Sequence, residues 1–135
     1  MQPPKSETRT AVAQGSGETV TYEGIAASGS PISWSYTSGL DGKDVAISGR
    51  QPLGADTVAV KRVDANMRTS INKKAGKTLY TTTSVVSKDG KDITITAKGM
   101  NGEGQPISYT MVWDKQPNVI VDPPRWKQPK TPYVR

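Results

Sequence analysis

The stretch "KDGKDITITAKGMNGEGQPISYTMVW", residues 88–113, decides the fold, because it contains two β-strands with a turn before each. Apolar and polar residues alternate through "DITITAK" and "ISYTMVW", as they do in a strand with one buried face. The dipeptide Asp89-Gly90 supplies the positive φ that a tight hairpin turn requires. We therefore expect an antiparallel hairpin. The inward face of its second strand consists of Ile107, Tyr109, Met111 and Trp113.

Strand signals of the same kind recur along the rest of the chain at intervals of roughly 8 to 12 residues. Val, Ile and Thr are plentiful, Phe is absent, and no segment combines helical periodicity with helix caps. A second Asp-Gly pair, Asp41-Gly42, predicts another tight turn. Because short connections join antiparallel neighbours, we predict an all-β antiparallel meander of about 8–10 strands, forming a barrel or half-barrel. The predicted strands cover residues 6–13, 18–26, 31–38, 44–48, 57–63, 67–73, 78–87, 92–98 and 107–115.

An earlier part of the chain repeats the quoted stretch. Thr10 aligns with Thr83 and Thr21 with Thr94 at an offset of 73 residues, and after a two-residue shift "PIS" at 31–33 aligns with "PIS" at 106–108. Each copy predicts a three-strand meander with one apolar face, which two copies could bury against each other. Alternatively, turn chemistry and strand alternation converge on similar strings. The sequence leaves both explanations open.

The residue types that most enzymes need near neutral pH are missing, because the chain has no His and no Cys. Ser-His-Asp, Cys-His and His-metal mechanisms are excluded in their ordinary forms. An enzyme would need Asp, Glu, Lys or Tyr, with a strongly shifted pKa in a cleft. The fragments "SINK" (70–73) and "GKT" (76–78) lie in strand and turn contexts where their catalytic and phosphate-binding meanings do not apply. We expect no enzyme, no metal site and no cofactor.

Positive charge is concentrated in residues 61–98, which hold nine Lys or Arg and three Asp or Glu. A basic β-surface could contact nucleic acid, lipid headgroups or an acidic partner. Single-strand binding also needs stacking rings, and Tyr80 is the one aromatic residue in this segment. Solvated Lys side chains on sheet edges and turns explain the charge equally well. We therefore favour a solvated surface over nucleic-acid binding.

The chain divides into an antiparallel β domain, residues 1–116, and a basic Pro-rich tail, residues 117–135. The tail is predicted to be extended, polyproline-like or disordered, because a strand cannot run through Pro123-Pro124. Within it, "NVIV" (118–121) is expected to add a short edge strand, and Trp126 to pack on the body or on a neighbouring subunit. No apolar run approaches the roughly 18 residues of a transmembrane helix.

The run "DGKDVAISG…ADTVAVKRVDANM…VVSKDGKDITITAKGMNGEGQPI" resembles a group of small exported bacterial proteins of unassigned function, described as lipocalin-like. The resemblance covers roughly residues 18–115 and implies a lipocalin-like barrel and a periplasmic or secreted location. No signal peptide is visible in "MQPPKSETRT". Members of the group carry a Gly-x-Trp element ahead of a Pro-rich stretch, and this chain has the Pro-rich "QPPKSE" without it. A homodimer could supply the missing wall.

The interior of this barrel is the predicted site, for non-catalytic binding of a small apolar or amphipathic ligand. Arg62 follows Val58 and Val60 on the inward alternation, so it could hold a ligand carboxylate. The alternative places Arg62 beyond the barrel rim, in water. The second hypothesis is a structural or interaction module that uses the basic face and the Pro-rich tail. The predicted ligand-binding residues are Arg62, Tyr36, Tyr109, Trp34 and Trp113.

The inward assignment of Trp113 predicts a large loss of stability when its ring is removed. We expect Trp113→Ala to lower the free energy of unfolding by about 3–5 kcal/mol, as a core truncation does. Denaturant melts of the two proteins measure the difference. A loss near zero would contradict the assignment of the strand faces.

Overall fold

The computed structural model of the protein describes residues 4–115 and the short strand Arg125–Lys127. These residues form eleven strands in one antiparallel sheet, which confirms the predicted all-β antiparallel fold. They provide no helix that is long and apolar enough to cross a membrane. The strands are β1 (Ser6–Gln14), β2 (Gly17–Ile25), β3 (Pro31–Ser38), β4 (Asp41–Ala46), β5 (Ser48–Gly49), β6 (Thr57–Arg62), β7 (Met67–Lys74), β8 (Lys77–Val86), β9 (Asp92–Met100), β10 (Pro106–Lys115) and β11 (Arg125–Lys127).

One of the two predicted Asp-Gly turns is correct. Gly90 has a φ of 74°, and its N–H donates to the Ser87 carbonyl at 2.9 Å, so the chain reverses there. The prediction at Asp41-Gly42 is wrong, because this pair lies inside β4 at a bulge. The chain reverses just before it, where Leu40 takes a φ of 59°. Tertiary contacts impose that conformation, since a leucine seldom adopts it alone.

The connection between β4 and β5 makes the sheet curl. Its strand order is β4-β6-β7-β8-β9-β10-β11-β1-β2-β3-β5, so β4 and β5 stand at opposite edges. Ile47 alone separates these two strands along the chain, and the edges must therefore lie close together. No ladder joins β4 to β3 or β5 within the described residues. Over residues 4–115 and 125–127, the structure thus shows a curled sheet and no closed barrel.

Strand β11 lies within the segment predicted to be a Pro-rich tail. It pairs with β1 at three positions and with β10 at two, and it fills the gap between these strands. The edge strand expected at 118–121 lies outside the described residues, and so does the side chain of Trp126.

The strands β1–β3, here called the first unit, and β8–β10, the second unit, pair in the same register. Thr10 pairs with Thr21 in the first unit, and Thr83 pairs with Thr96 in the second. The offset is therefore 73 residues in the first strand and 75 in the second and third, so the two extra residues belong to the β8–β9 turn. The alignment of Thr21 with Thr94 is corrected accordingly. The β2–β3 and β9–β10 turns have the same length and the same backbone hydrogen bonds, and turns of one type fix one register, so duplication and convergence both account for the shared register.

The inward face of the sheet is the one that strand alternation predicts. Residues 50–56 fold over one end of the interior, where Leu53 and Ala55 pack against Tyr80 and Ile107. A second cluster forms around Trp113, which is 1% exposed. The buried apolar residues that follow the alternation are Val20, Ile32, Val58, Val60, Ile93, Ile95, Ala97, Ile107, Met111 and Trp113.

Close packing of β2 on β1 predicts a stability loss at Gly24. A Cβ there would lie 2.1 Å from the Ser6 carbonyl oxygen. We expect Gly24→Ala to lower the free energy of unfolding by about 1–3 kcal/mol, as overpacking does. The control is Gly102→Ala, whose Cβ would have no neighbour closer than 3.4 Å. Denaturant melts compare the two variants, and equal losses would contradict the proposed clash.

Candidate functional site

The curled sheet surrounds a cavity of about 640 Å³. This volume is in the range of small-molecule sites, roughly 300–1,000 Å³. The two units supply opposite walls, and β6 and β7 connect them on one side. Turn residues Ala26, Ala27, Asn101 and Gln105 line the end at which residues 50–56 also lie.

Four of the five predicted site residues line this cavity, namely Trp34, Tyr36, Tyr109 and Trp113. The fifth, Arg62, pairs with Arg68 of β7 and so belongs to the inward side of the ladder. It is the last residue of β6, however, and its side chain is exposed outside the cavity lining. The inward position considered for Arg62 is therefore corrected. The alternative, a position beyond the rim, is what the structure shows.

A charged cluster, formed by Arg9, Glu18 and Arg68, crosses the interior. Glu18 accepts a hydrogen bond from Arg68, and its Oε1 lies 3.9 Å from Nη2 of Arg9. Arg9 and Glu18 are each 9% exposed. Since Glu18 belongs to β2 and Arg68 to β7, the cluster links strands that are not neighbours in the sheet.

Aromatic rings extend the cluster. Nε of Arg9 donates to the Tyr22 hydroxyl at 3.2 Å. The Tyr22 ring stacks on Trp34 with centroids 4.1 Å apart, and Trp113 meets it edge-on at 5.8 Å. Stacked and edge-on pairs of this kind add stability beyond their buried area. Tyr22 therefore connects the charged cluster to both tryptophans.

The surroundings of the two arginines shift their pKa values in opposite directions. Burial alone lowers the pKa of Arg9, but Tyr22 and Tyr36 outweigh it and the pKa is raised. Burial, with the charge of Arg9 as a second cause, lowers the pKa of Arg68. Burial also raises the pKa of Tyr36, which keeps its hydroxyl protonated. Because guanidinium groups start from a very high pKa, both arginines remain cations.

Both tryptophans that line the cavity carry an unpaired donor. Nε1 of Trp34 and Nε1 of Trp113 are buried and have no hydrogen-bond partner within the part of the chain that the structure describes. An indole N–H can only donate, and leaving a buried donor unpaired costs about 1–3 kcal/mol. Both N–H groups are enclosed by protein atoms, so they present no donor to the cavity.

The walls differ in chemistry. The inward residues of β7 and β8 are polar: Nδ2 of Asn72 donates to Ser70 at 3.0 Å, and Ser70 also hydrogen-bonds Thr82. Near the end closed by residues 50–56, Gln51 hydrogen-bonds the hydroxyl of Tyr80. The inward residues of β9 and β10 that line the cavity are mostly apolar. They are Ile95, Ile107, Tyr109, Met111 and Trp113.

Comparison of the two units shows that the fold does not require the charged cluster. The second unit forms the same meander with neutral side chains at the positions where the first unit carries charge. Burying charged groups is costly, so a purely structural core would not select them. The equivalent pairs are Arg9 and Thr82, Glu18 and Ile93, Trp34 and Tyr109, and Tyr36 and Met111.

Glu7 is a separate buried carboxyl group that lines the cavity. Among the described residues it has no ion-pair partner, because the cations of the cluster pair with Glu18. Burial raises the pKa of Glu7 to about 7. The group is therefore poised to change its charge near neutral pH.

Sequence reasoning missed the charged cluster. The signal was present in β2, where Glu18 precedes Val20 and Tyr22 on the same alternation. Hydropathy does not mark such positions, because a charged residue in an alternating strand normally indicates the wet face. Arg9 and Arg68 carried no local signal at all.

The raised pKa of Glu7 predicts a pH-dependent stability. Folding disfavours the ionised form of Glu7. The favourable contribution of the protonated group to the free energy of unfolding is therefore complete below the ordinary pKa of 4.5, and it is lost as the pH rises to about 7. This loss amounts to about 3 kcal/mol, and we expect Glu7→Gln to remove it. Denaturant melts at about pH 5 and about pH 8 measure this loss of stability. Glu103→Gln, at an exposed position, is the control. Equal pH dependence in wild type and Glu7→Gln would contradict the assignment.

Compared with protein-family models, curated proteins and solved structures, the chain matches none of them. The function of the cavity is therefore inferred from the residues that form it. Their burial, charge and hydrogen bonds provide the basis for that inference.

Proposed function

We propose that the protein binds a small amphipathic ligand, without catalysis, in the interior of a lipocalin-like barrel or half-barrel. The observation that carries this proposal is the cavity of about 640 Å³ between the two units. A protein that served only as a structural module would fill this space with side chains, because protein interiors are close-packed. Trp34, Tyr36, Tyr109 and Trp113 line the space without filling it.

The amphipathic character follows from the unequal walls. Apolar groups of a ligand would gain from contact with Ile95 and Met111, which lie on the apolar wall. Polar groups would find donors on the other side, at Arg9 and Arg68, which line the cavity. A few polar groups in a largely apolar pocket are typical of small-molecule sites, where they fix the orientation of the ligand.

Glu7 favours a second candidate function, general acid–base catalysis. A buried carboxyl group in a cavity, with a pKa of about 7, has the properties of a catalytic base. Binding is the primary proposal because it uses both walls, whereas catalysis uses this one group. Mass spectrometry of a ligand recovered from the protein distinguishes the two functions. Chemical conversion of that ligand by wild type, and no conversion by Glu7→Gln, would assign catalysis.

Native mass spectrometry of the purified protein, with a lipid extract incubated in parallel, tests the binding proposal. We expect rising collision energy to release a discrete small molecule from the protein. A mass that stays free of ligand after incubation with fatty acids and other amphiphiles would contradict the proposal. The same measurement reports whether the protein is a monomer or a homodimer.

A matched pair of variants locates the bound molecule. Ser84 lines the cavity and Thr83, its neighbour in β8, belongs to the opposite face. We expect Ser84→Phe to fill part of the cavity and weaken binding by about tenfold or more, equivalent to about 1.4 kcal/mol. Thr83→Phe should bind as wild type does. Equal binding by the two variants, measured by titration in native mass spectra, would place the ligand outside the cavity.

A further inference from the structure

We propose that the ligand is a monoanion, and that its head group binds at Arg9 and Arg68. This inference rests on the proposed function and specifies the class of ligand. The chemistry required is that of a carboxylate attached to an apolar body.

Charge balance supplies the first argument. The cluster contains two guanidinium groups and one carboxylate, so it carries an excess of one positive charge. Both cations share a single oxygen, Oε1 of Glu18. A buried charge is retained at low cost only when it has a partner, and a ligand with one negative charge completes this set.

Hydrogen-bond geometry supplies the second argument. Nη2 of Arg9 lies 3.9 Å from Glu18, which is too long for a hydrogen bond. Each guanidinium group has five N–H donors, and a carboxylate or phosphate can accept two of them side by side. The donors of Arg9 and Arg68 that Glu18 leaves unused are therefore suited to an anionic head group.

The second unit shows that this meander forms without charged residues at the positions of Arg9 and Glu18. Thr82 and Ile93 stand at the positions equivalent to Arg9 and Glu18, with the same strand register. Because a neutral interior is compatible with this meander, the charges of the first unit are free to serve recognition. The apolar body of the ligand would then lie toward Ile95 and Met111.

The experiment compares three probes with the same alkyl chain, namely dodecanoate, its methyl ester and dodecyl phosphate. Their affinities are measured by tryptophan fluorescence, since Trp34 and Trp113 line the cavity. We expect dodecanoate to bind about 10-fold to 100-fold more tightly than the ester, the gain of a charge-assisted hydrogen bond. Dodecyl phosphate carries close to two negative charges at neutral pH, so it should bind less tightly than dodecanoate, and tighter binding of the phosphate would overturn the monoanion.

Three variants test the residues involved. We expect Arg68→Gln to weaken binding of the anion about 10-fold to 100-fold and to leave the ester unaffected. The control, Arg62→Gln, removes the cross-strand partner of Arg68 outside the cavity and should change neither affinity. Glu18→Gln removes the competing carboxylate, so binding of the anion should become tighter. This gain cannot result from misfolding.

The outcomes separate the two proposals. Equal affinities for dodecanoate, its ester and the phosphate, all insensitive to Arg68→Gln, would overturn the anionic ligand and leave the binding function intact. Failure of all three probes to bind, together with ligand-free native mass spectra, would overturn both. A preference for dodecanoate over its ester that is lost in Arg68→Gln and kept in Arg62→Gln would establish the inference.

Discussion

The single residue between β4 and β5 is the constraint on which the rest of the structure depends. These strands stand at opposite edges of the sheet order, and Ile47 alone joins them. The sheet must therefore curl until its edges lie close together. Opposite parts of its inner face then bury each other, and the described residues add no second layer of helices or strands. Side chains of this face leave a cavity of about 640 Å³. A site inside the sheet is thus a consequence of how its edges are connected.

Features of the fold that depend on neighbouring residues were predictable from the sequence. Strand alternation placed Trp113 inside, and Asp89-Gly90 marked a turn, because side-chain direction and positive φ are local properties. The two shortest strands, β5 and β11, were not predicted. Segments of two and three residues have no periodicity of their own and become strands through their partners. Leu40 adopts its left-handed conformation for a similar, non-local reason.

The candidate site divides in the same way. Trp34 and Tyr36 were predictable because they follow apolar residues on an alternating strand. The ion pair of Glu18 and Arg68 joins residues 50 positions apart, so no local pattern announces it. Arg62 shows that strand alternation does not predict whether a residue at a strand end is buried. It faces the same side as Arg68, but its place at the end of β6 puts its side chain in water.

The shared register of the two units has a consequence for symmetry. Two identical units would place each of their inward side chains on both of the walls that they supply. Arg9 and Glu18 correspond to Thr82 and Ile93, so the two walls are not equivalent. The wall supplied by the first unit is consequently charged, and the equivalent positions of the second unit are neutral. A guest molecule with unlike ends therefore has one preferred orientation, whereas a symmetric interior would accept it equally well in two.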